Sequence, residues 1–343
     1  MIMRGGTSKG AFFIESELPA DEGERDTLLM EIMGTPDPRQ IDGIGGAHPL
    51  TSKVALVSSS DDPDADVTYL FLQLGVDEAF VTDRQNCGNL LAAVGPFALE
   101  RGLIHAPDGE AVVRIKMRNT GGIALSRFEV GDSAPVYAGD TAISGVPGTA
   151  GRIAIDFLDI AGGTAGALLP TGNPVDVIDG VEATLVDNGM PVVVMLADTL
   201  GVAGYESCSE LEGNESLRSR LEEIRLAAGE LMNLGDVSDT TIPKLTMVAP
   251  PRDGGTVSTR TFIPHRCHEA IGVLGAVSVA TACLLPGTPA HGISEASSST
   301  ITLEHPTGSF DAVVELDGHD VVRAGIVRTA RKLMDGMVYP RSY

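Results

Sequence analysis

The sequence predicts an α+β protein of two similar domains, each a set of strands around one buried helix, and three observations lead there. Its 343 residues are about twice the usual domain length. Short β-branched and aromatic runs recur along both halves. Each half also holds one stretch, 90–100 and 270–285, that is apolar nearly all round. A helix with no polar face is buried on every side.

In the first half, residues 12–14, 54–58, 67–74, 78–81, 112–117 and 123–129 read as strands. Residues 25–33 follow a helical pattern that Gly34 and Pro36 stop. A Gly-rich loop, 41–46, leads to Thr51-Ser52-Lys53. The first all-apolar helix starts at Asn86-Cys87-Gly88-Asn89, where Asn86 is a good N-cap. The second half repeats the grammar, with strands at 153–157, 181–186, 192–196, 245–248, 257–263, 301–303 and 312–316. A helix with charged faces covers 217–232, and residues 325–338 carry the chain out. The stretch 131–151, rich in Gly, Pro and Ala, is the expected crossover between domains.

A net charge of −23 argues against nucleic acid or an anionic membrane as partner, since both need a basic surface. It leaves room for a small anion at a locally positive site. No run of about 18 apolar residues exists to span a membrane. Residues 1–20 lack the apolar block of a secretory signal, so the cytoplasm is the expected compartment.

Cys87, Cys208, Cys267 and Cys283 show neither a CxxC pair nor zinc spacing. Cys87 is the candidate reactive thiol, because a helix N-terminus favours thiolate and its free N–H groups bind anions. A small buried packing cysteine is the plainer alternative. Cys283 lies inside the apolar helix and reads as inert core, while Cys208, between two serines, reads as surface loop. Lys53 is one of only 5 lysines, and a lysine at a strand start is a base candidate if desolvated, though usually it is solvated. Arg4-Gly5-Gly6-Thr7-Ser8-Lys9-Gly10 lacks phosphate-loop spacing, and either holds a carboxylate with Thr7 and Ser8 or is a plain tight turn. His265, Arg266 and His268 precede the second apolar helix; anion binding there and helix capping stand side by side, and no third ligand supports a metal. Asn188, in the turn 187–191, is an amide available to a ligand.

The blocks MRGGTSKG, QIDGIGGAHPLTSKVA, QNCGN, ALLPTGN, VDNGMPVVV, MNLGDVS, GGTVSTRTFIPHRCH and GAVSVATAC together resemble the PrpF-type isomerases over essentially the whole chain. The FIPHRCH stretch is similar to the branch acting on oxalomesaconate. Family members carry several residues before MRGG, where this chain has Met1-Ile2. The resemblance implies the diaminopimelate-epimerase-like fold: two curved, barrel-like, mostly antiparallel sheets, each around a central helix, with the active site in the interdomain cleft. The expected domains are 1–135, with central helix 87–101 and completion by 325–343, and 136–324, with central helix 269–285.

By the same resemblance, Lys53 and Cys87 are the acid–base pair. Donors to substrate carboxylates are expected from Thr7, Ser8, Asn86, Gly88, Asn89, Asn188, His265, Arg266 and His268. The implied activity is cofactor- and metal-independent tautomerisation or 1,3-allylic isomerisation of 4-oxalomesaconate, in gallate or protocatechuate degradation. The substrate's ketone and unsaturated acid hold the carbanion charge. An isomerase of methylaconitate or methylitaconate type is the alternative, and a non-catalytic small-anion binder is a third. A small tricarboxylate is the expected partner, and a homodimer is left open.

Overall fold

The structure, a computed structural model, describes residues 1–84, 86–294 and 296–341. It divides into two compact units, Met1–Leu158 with Val327–Tyr343, and Asp159–Ile326. Residues 342–343 of the expected C-terminal segment lie outside the described residues.

The first unit begins with a hairpin of β1 (Ile2–Gly5) and β2 (Ser8–Ile14). Its two-residue turn is Gly6-Thr7, and Gly6 takes φ +51°, so the tight turn given as one reading of this stretch is present, here between two strands. Helix α1 (Glu22–Met33) starts where the Asp21 carboxylate accepts from Glu24 N at 3.0 Å. It ends at Gly34 in the left-handed conformation, as the sequence predicts. Then follow β3 (Lys53–Ser59), β4 (Val67–Leu74), β5 (Val81–Thr82), α2 (Gly88–Leu91), α3 (Val94–Glu100), β6 (Gly109–Met117), β7 (Ile123–Gly131), β8 (Ala134–Pro135) and β9 (Arg152–Phe157).

The helix expected over 87–101 is thus broken at Ala92-Ala93. Pro96 is the reason: in a continuous helix its ring would strike the Ala92 carbonyl, and it has no N–H to give. Both pieces are still buried, from Leu90 through Leu99.

The second unit contains β10 (Asp176–Ile178), β11 (Val181–Asp187), β12 (Pro191–Leu196), α4 (Cys208–Gly213), α5 (Glu215–Leu231), β13 (Lys244–Ala249) and β14 (Val257–Phe262). It continues with α6 (Val273–Leu284), α7 (Pro289–Ile293), β15 (Thr300–His305), β16 (Gly308–Asp317) and the start of β17 (Asp320–Met334). Its central helix begins at Val273, after the N-cap Gly272, rather than at 269.

Pairing in the first unit runs β17–β1–β2–β3–β4–β6–β7–β9, and β9 pairs back with β17. Such closure leaves no open edge in that ring, while the short β5 and β8 add to β4 and β7. The expected boundary at 135 is wrong for this reason: β9 pairs with β7 from Ala124↔Phe157 to Phe128↔Ile153, which holds residues up to 158 in the first unit. The second unit pairs β10 through β17 in chain order.

Each unit has two parallel steps, and each parallel step needs a crossover. In the first unit they are β2/β3, crossed by α1, and β4/β6, crossed by α2 and α3. In the second they are β12/β13, crossed by α4 and α5, and β14/β15, crossed by α6 and α7. The repeated grammar of the sequence is therefore a repeated crossover plan. The exit segment 325–338 is strand, not a separate element, because residues 320–334 pair with β16 and then β1.

Candidate active site

Lys53 is the first residue of β3 and lies directly opposite Gln73 of β4. Its side chain is 8% exposed. Nζ donates to Gln73 Oε1 at 2.6 Å and stands 4.9 Å from the centroid of the Phe71 ring. The Gln73 amide is itself locked, since Nε2 faces the carbonyls of Pro49, Ser52 and Leu74 at 3.2, 3.0 and 3.0 Å. Only Oε1 is left to meet the lysine. Alternate residues of a strand share a face, so Tyr69, Phe71 and Gln73 form one wall.

Tyr69 carries that wall to the thiol segment. Its buried hydroxyl donates to the Cys87 carbonyl at 3.4 Å, and burial, with the neighbouring Cys87, pushes its pKa well up. Cys87, not Asn86, is the N-cap: Sγ accepts from Leu90 N at 3.5 Å. Asn86 instead accepts from Cys87 N at 2.8 Å through Oδ1 and points Nδ2 at the Met117 sulfur. Gly88 opens α2, a single turn, so fewer peptide dipoles align on Cys87 than a helix over 87–101 would supply.

Asn89 Oδ1 accepts from Thr7 N at 3.4 Å and Arg328 Nε at 3.2 Å, which ties the hairpin turn to the thiol segment. Three glycines permit that approach. A Cβ on Gly5 would lie 2.5 Å from Asn89 O, and one on Gly6 would overlap the Asn89 side chain. One on Gly10 would lie 2.6 Å from Lys53 O and 3.0 Å from Leu90 Cδ2. Lys53, Cys87, Thr7, Ser8, Asn86, Gly88 and Asn89 thus all belong to one unit. Ser8 is buried, and its hydroxyl has no partner among the described residues.

The remaining expected residues belong to the other unit and have other partners. Asn188 is fully buried against α6, where its N–H donates to Ser278 Oγ at 3.0 Å and Nδ2 to Thr281 Oγ1 at 2.9 Å. His265, Arg266 and His268 do not sit at the helix start, since α6 begins at Val273. Cys267 bridges back to Phe262, which makes this stretch a turn after β14. Arg266 pairs with Glu212 at 2.9 Å, and His265 Nδ1 lies 3.6 Å from Glu222. His268 Nδ1 accepts from Ala270 N at 2.8 Å, and burial lowers its pKa. Among the described residues no three His, Cys, Asp or Glu gather as a metal site.

Of the other thiols, Cys283 is fully buried and pushed up to about 12 by burial, in line with inert core. Cys208 is not surface loop but buried at the first turn of α4. It packs beside Cys267, whose thiol is pushed up by burial and by the bond to Cys208.

Sequence reasoning missed Gln73 and Tyr69. The available signal was a polar residue at alternate spacing in an otherwise apolar strand.

Comparison with known proteins bears on this arrangement. The family model described as PrpF protein matches residues 1–341. A protein of Novosphingobium sp. (strain KA1) named (4E)-oxalomesaconate Delta-isomerase is 57% identical, over 99% of this chain and 96% of that one. A 4-oxalomesaconate tautomerase of Pseudomonas putida is 55% identical over 98% of this chain and 94% of its own. Among solved structures, that of a methylitaconate-delta-isomerase superposes with a TM-score of 0.91 at 34% identity, covering 99% of this chain and 95% of its own.

Proposed function

The chain belongs to the PrpF family, and from that premise we propose that it isomerises 4-oxalomesaconate by proton abstraction and return at Lys53 and Cys87. One observation carries the choice of substrate: identity to the two relatives named for oxalomesaconate, 57% and 55%, well exceeds the 34% to the methylitaconate enzyme.

The methylene of 4-oxalomesaconate lies between a ketone and an unsaturated acid. Removing its proton gives a carbanion delocalised over both, so the substrate is its own electron sink. The enzyme then needs a base, an acid and donors for carboxylates. Lys53, held by its bond to Gln73 Oε1, is the base that takes the methylene proton. The Cys87 thiol supplies a proton to the dienolate. Delivery to the ketone oxygen gives the enol, and delivery to the far carbon gives the allylic isomer. The turn Gly6-Thr7 and the Ser8 hydroxyl offer donors to a carboxylate, with Asn86, Gly88 and Asn89 beside the thiol.

The test is to follow 4-oxalomesaconate by NMR in deuterated water. Deuterium entering the methylene position with formation of enol or allylic isomer is the expected result. No exchange with this substrate, alongside exchange into methylitaconate or methylaconitate, would move the assignment to the other branch.

A further inference from the structure

The first unit carries a second concentration of positive charge. Arg331 of β17, Arg4 of β1 and Lys9 of β2 lie directly opposite one another across three adjacent strands, through the pairs Arg4↔Arg331 and Arg4↔Lys9. Like charges in such register are destabilising unless something offsets them. None of the three has an ion-pair partner among the described residues, in a chain with 47 acidic side chains.

The three line a cavity of about 320 Å³ whose far wall is the loop 145–149. Among the described residues no carboxylate lines it. Arg4 uses only Nη1 on the fold, donating to Gly6 O, Thr329 O and Thr329 Oγ1 at 3.0, 2.9 and 2.9 Å. Burial, and then Arg331, lower its pKa, so the charge sits where an anion would be favoured.

This cavity is not the Lys53 site. Strand alternation puts Arg4 and Lys9 on the face opposite Gly5 and Gly10, and those two glycines meet Asn89, Leu90 and Lys53. Of the residues named for that site, Thr7 of the turn and Ser8 of β2 also line this cavity.

We propose that this cavity is a second binding site, for a small polycarboxylate anion. Neighbouring strands are about 4.8 Å apart, so three cations on consecutive strands spread over roughly 10 Å of backbone. That spacing suits carboxylates distributed along a carbon chain better than one compact phosphate. Guanidinium forks bind carboxylate in bidentate fashion.

Calorimetric titration at fixed ionic strength tests this, with citrate and inorganic phosphate as probes. Citrate should bind the wild-type protein more tightly than phosphate. Lys9→Gln with Arg331→Gln should weaken citrate by roughly tenfold or more, as expected for lost charge-assisted bonds, while isomerase turnover stays within about twofold. Lys53→Ala should retain citrate binding, which separates this site from the catalytic proposal. Absence of citrate binding at millimolar concentration overturns the proposal. So does phosphate binding as tightly as citrate, unchanged affinity in the double variant, or turnover lost in parallel with citrate. Should the double variant fail to fold, Arg331→Glu alone carries the same comparison, since that side chain is exposed.

Discussion

Lys53 Nζ meets Gln73 Oε1 at 2.6 Å across the β3–β4 ladder, so a buried amine is held by a neutral amide and not by a carboxylate. The amide fixes where the amine sits without placing a second charge beside it. Lys53→Ala should therefore lower kcat by about 10²–10⁴-fold, the usual contribution of a general acid–base group. Gln73→Met should lower kcat by less, on the order of tenfold, with KM little changed, because it releases the amine without removing it. Steady-state kinetics on both folded variants decides; wild-type turnover in Lys53→Ala removes it from the mechanism.

Alkylation should separate the thiols. Cys283 is enclosed and pushed up to about 12, and Cys267 is raised by burial and tied to Cys208. Iodoacetamide near neutral pH should modify Cys87 first, inactivation should track that modification, and a tricarboxylate such as aconitate should protect. Cys87→Ser should fold but turn over poorly, a hydroxyl being a weaker acid than a thiol. Peptide mapping that finds Cys267 modified during inactivation, with Cys87 intact, would overturn the assignment.

Gly10→Ala should cost both stability and rate. The added methyl would lie 2.6 Å from Lys53 O, so β3 must shift, and overpacking of this kind costs about 1–3 kcal/mol. Thermal unfolding and kcat measured together check it; two unchanged values would show that the strand yields freely.

Asp187 supplies a pH prediction. It is fully buried; Oδ2 accepts from Thr164 N and Ala165 N at 2.8 and 2.7 Å, while Oδ1 has no partner among the described residues. Burial raises its pKa above the ordinary carboxyl value despite those bonds. A raised carboxyl pKa favours the folded state at low pH, and that contribution is lost as pH rises through the folded value. Asp187→Asn should thus stabilise the protein at pH 7, on the order of 1 kcal/mol, with the gain shrinking as pH falls toward about 4. Melting curves across that range test it, and a uniform loss at every pH would contradict it.

The buried helices were legible because apolar runs on every face admit one environment. Their boundaries were less so: the apolar pattern runs on through Pro96, while the backbone breaks at residues 92–93. The β1–β2 hairpin was hidden because Ser8, Lys9 and Gly10 lack strand character, and their pairing with β1 depends on the turn at Gly6-Thr7. Lys53 and Cys87 stood out by residue type and setting. Gln73 did not, since its role depends on lying opposite Lys53, and register across strands is not written in local composition. For His265, Arg266 and His268, proximity in sequence to a helix was mistaken for position at its start.

The strand β17 leaves one unit and enters the other between Ile326 and Val327. It follows the other strands along this chain, and it is the partner of β1. Arg4 and Thr329, joined by hydrogen bonds, are 325 residues apart. The first unit's pairing ring therefore stays open on the ribosome until β17 has emerged. Meanwhile β1 waits with an unpaired edge, the kind of exposure that invites association with other chains. Late closure of this kind makes folding slow through loop entropy, and makes damage to the final strand a defect in both units.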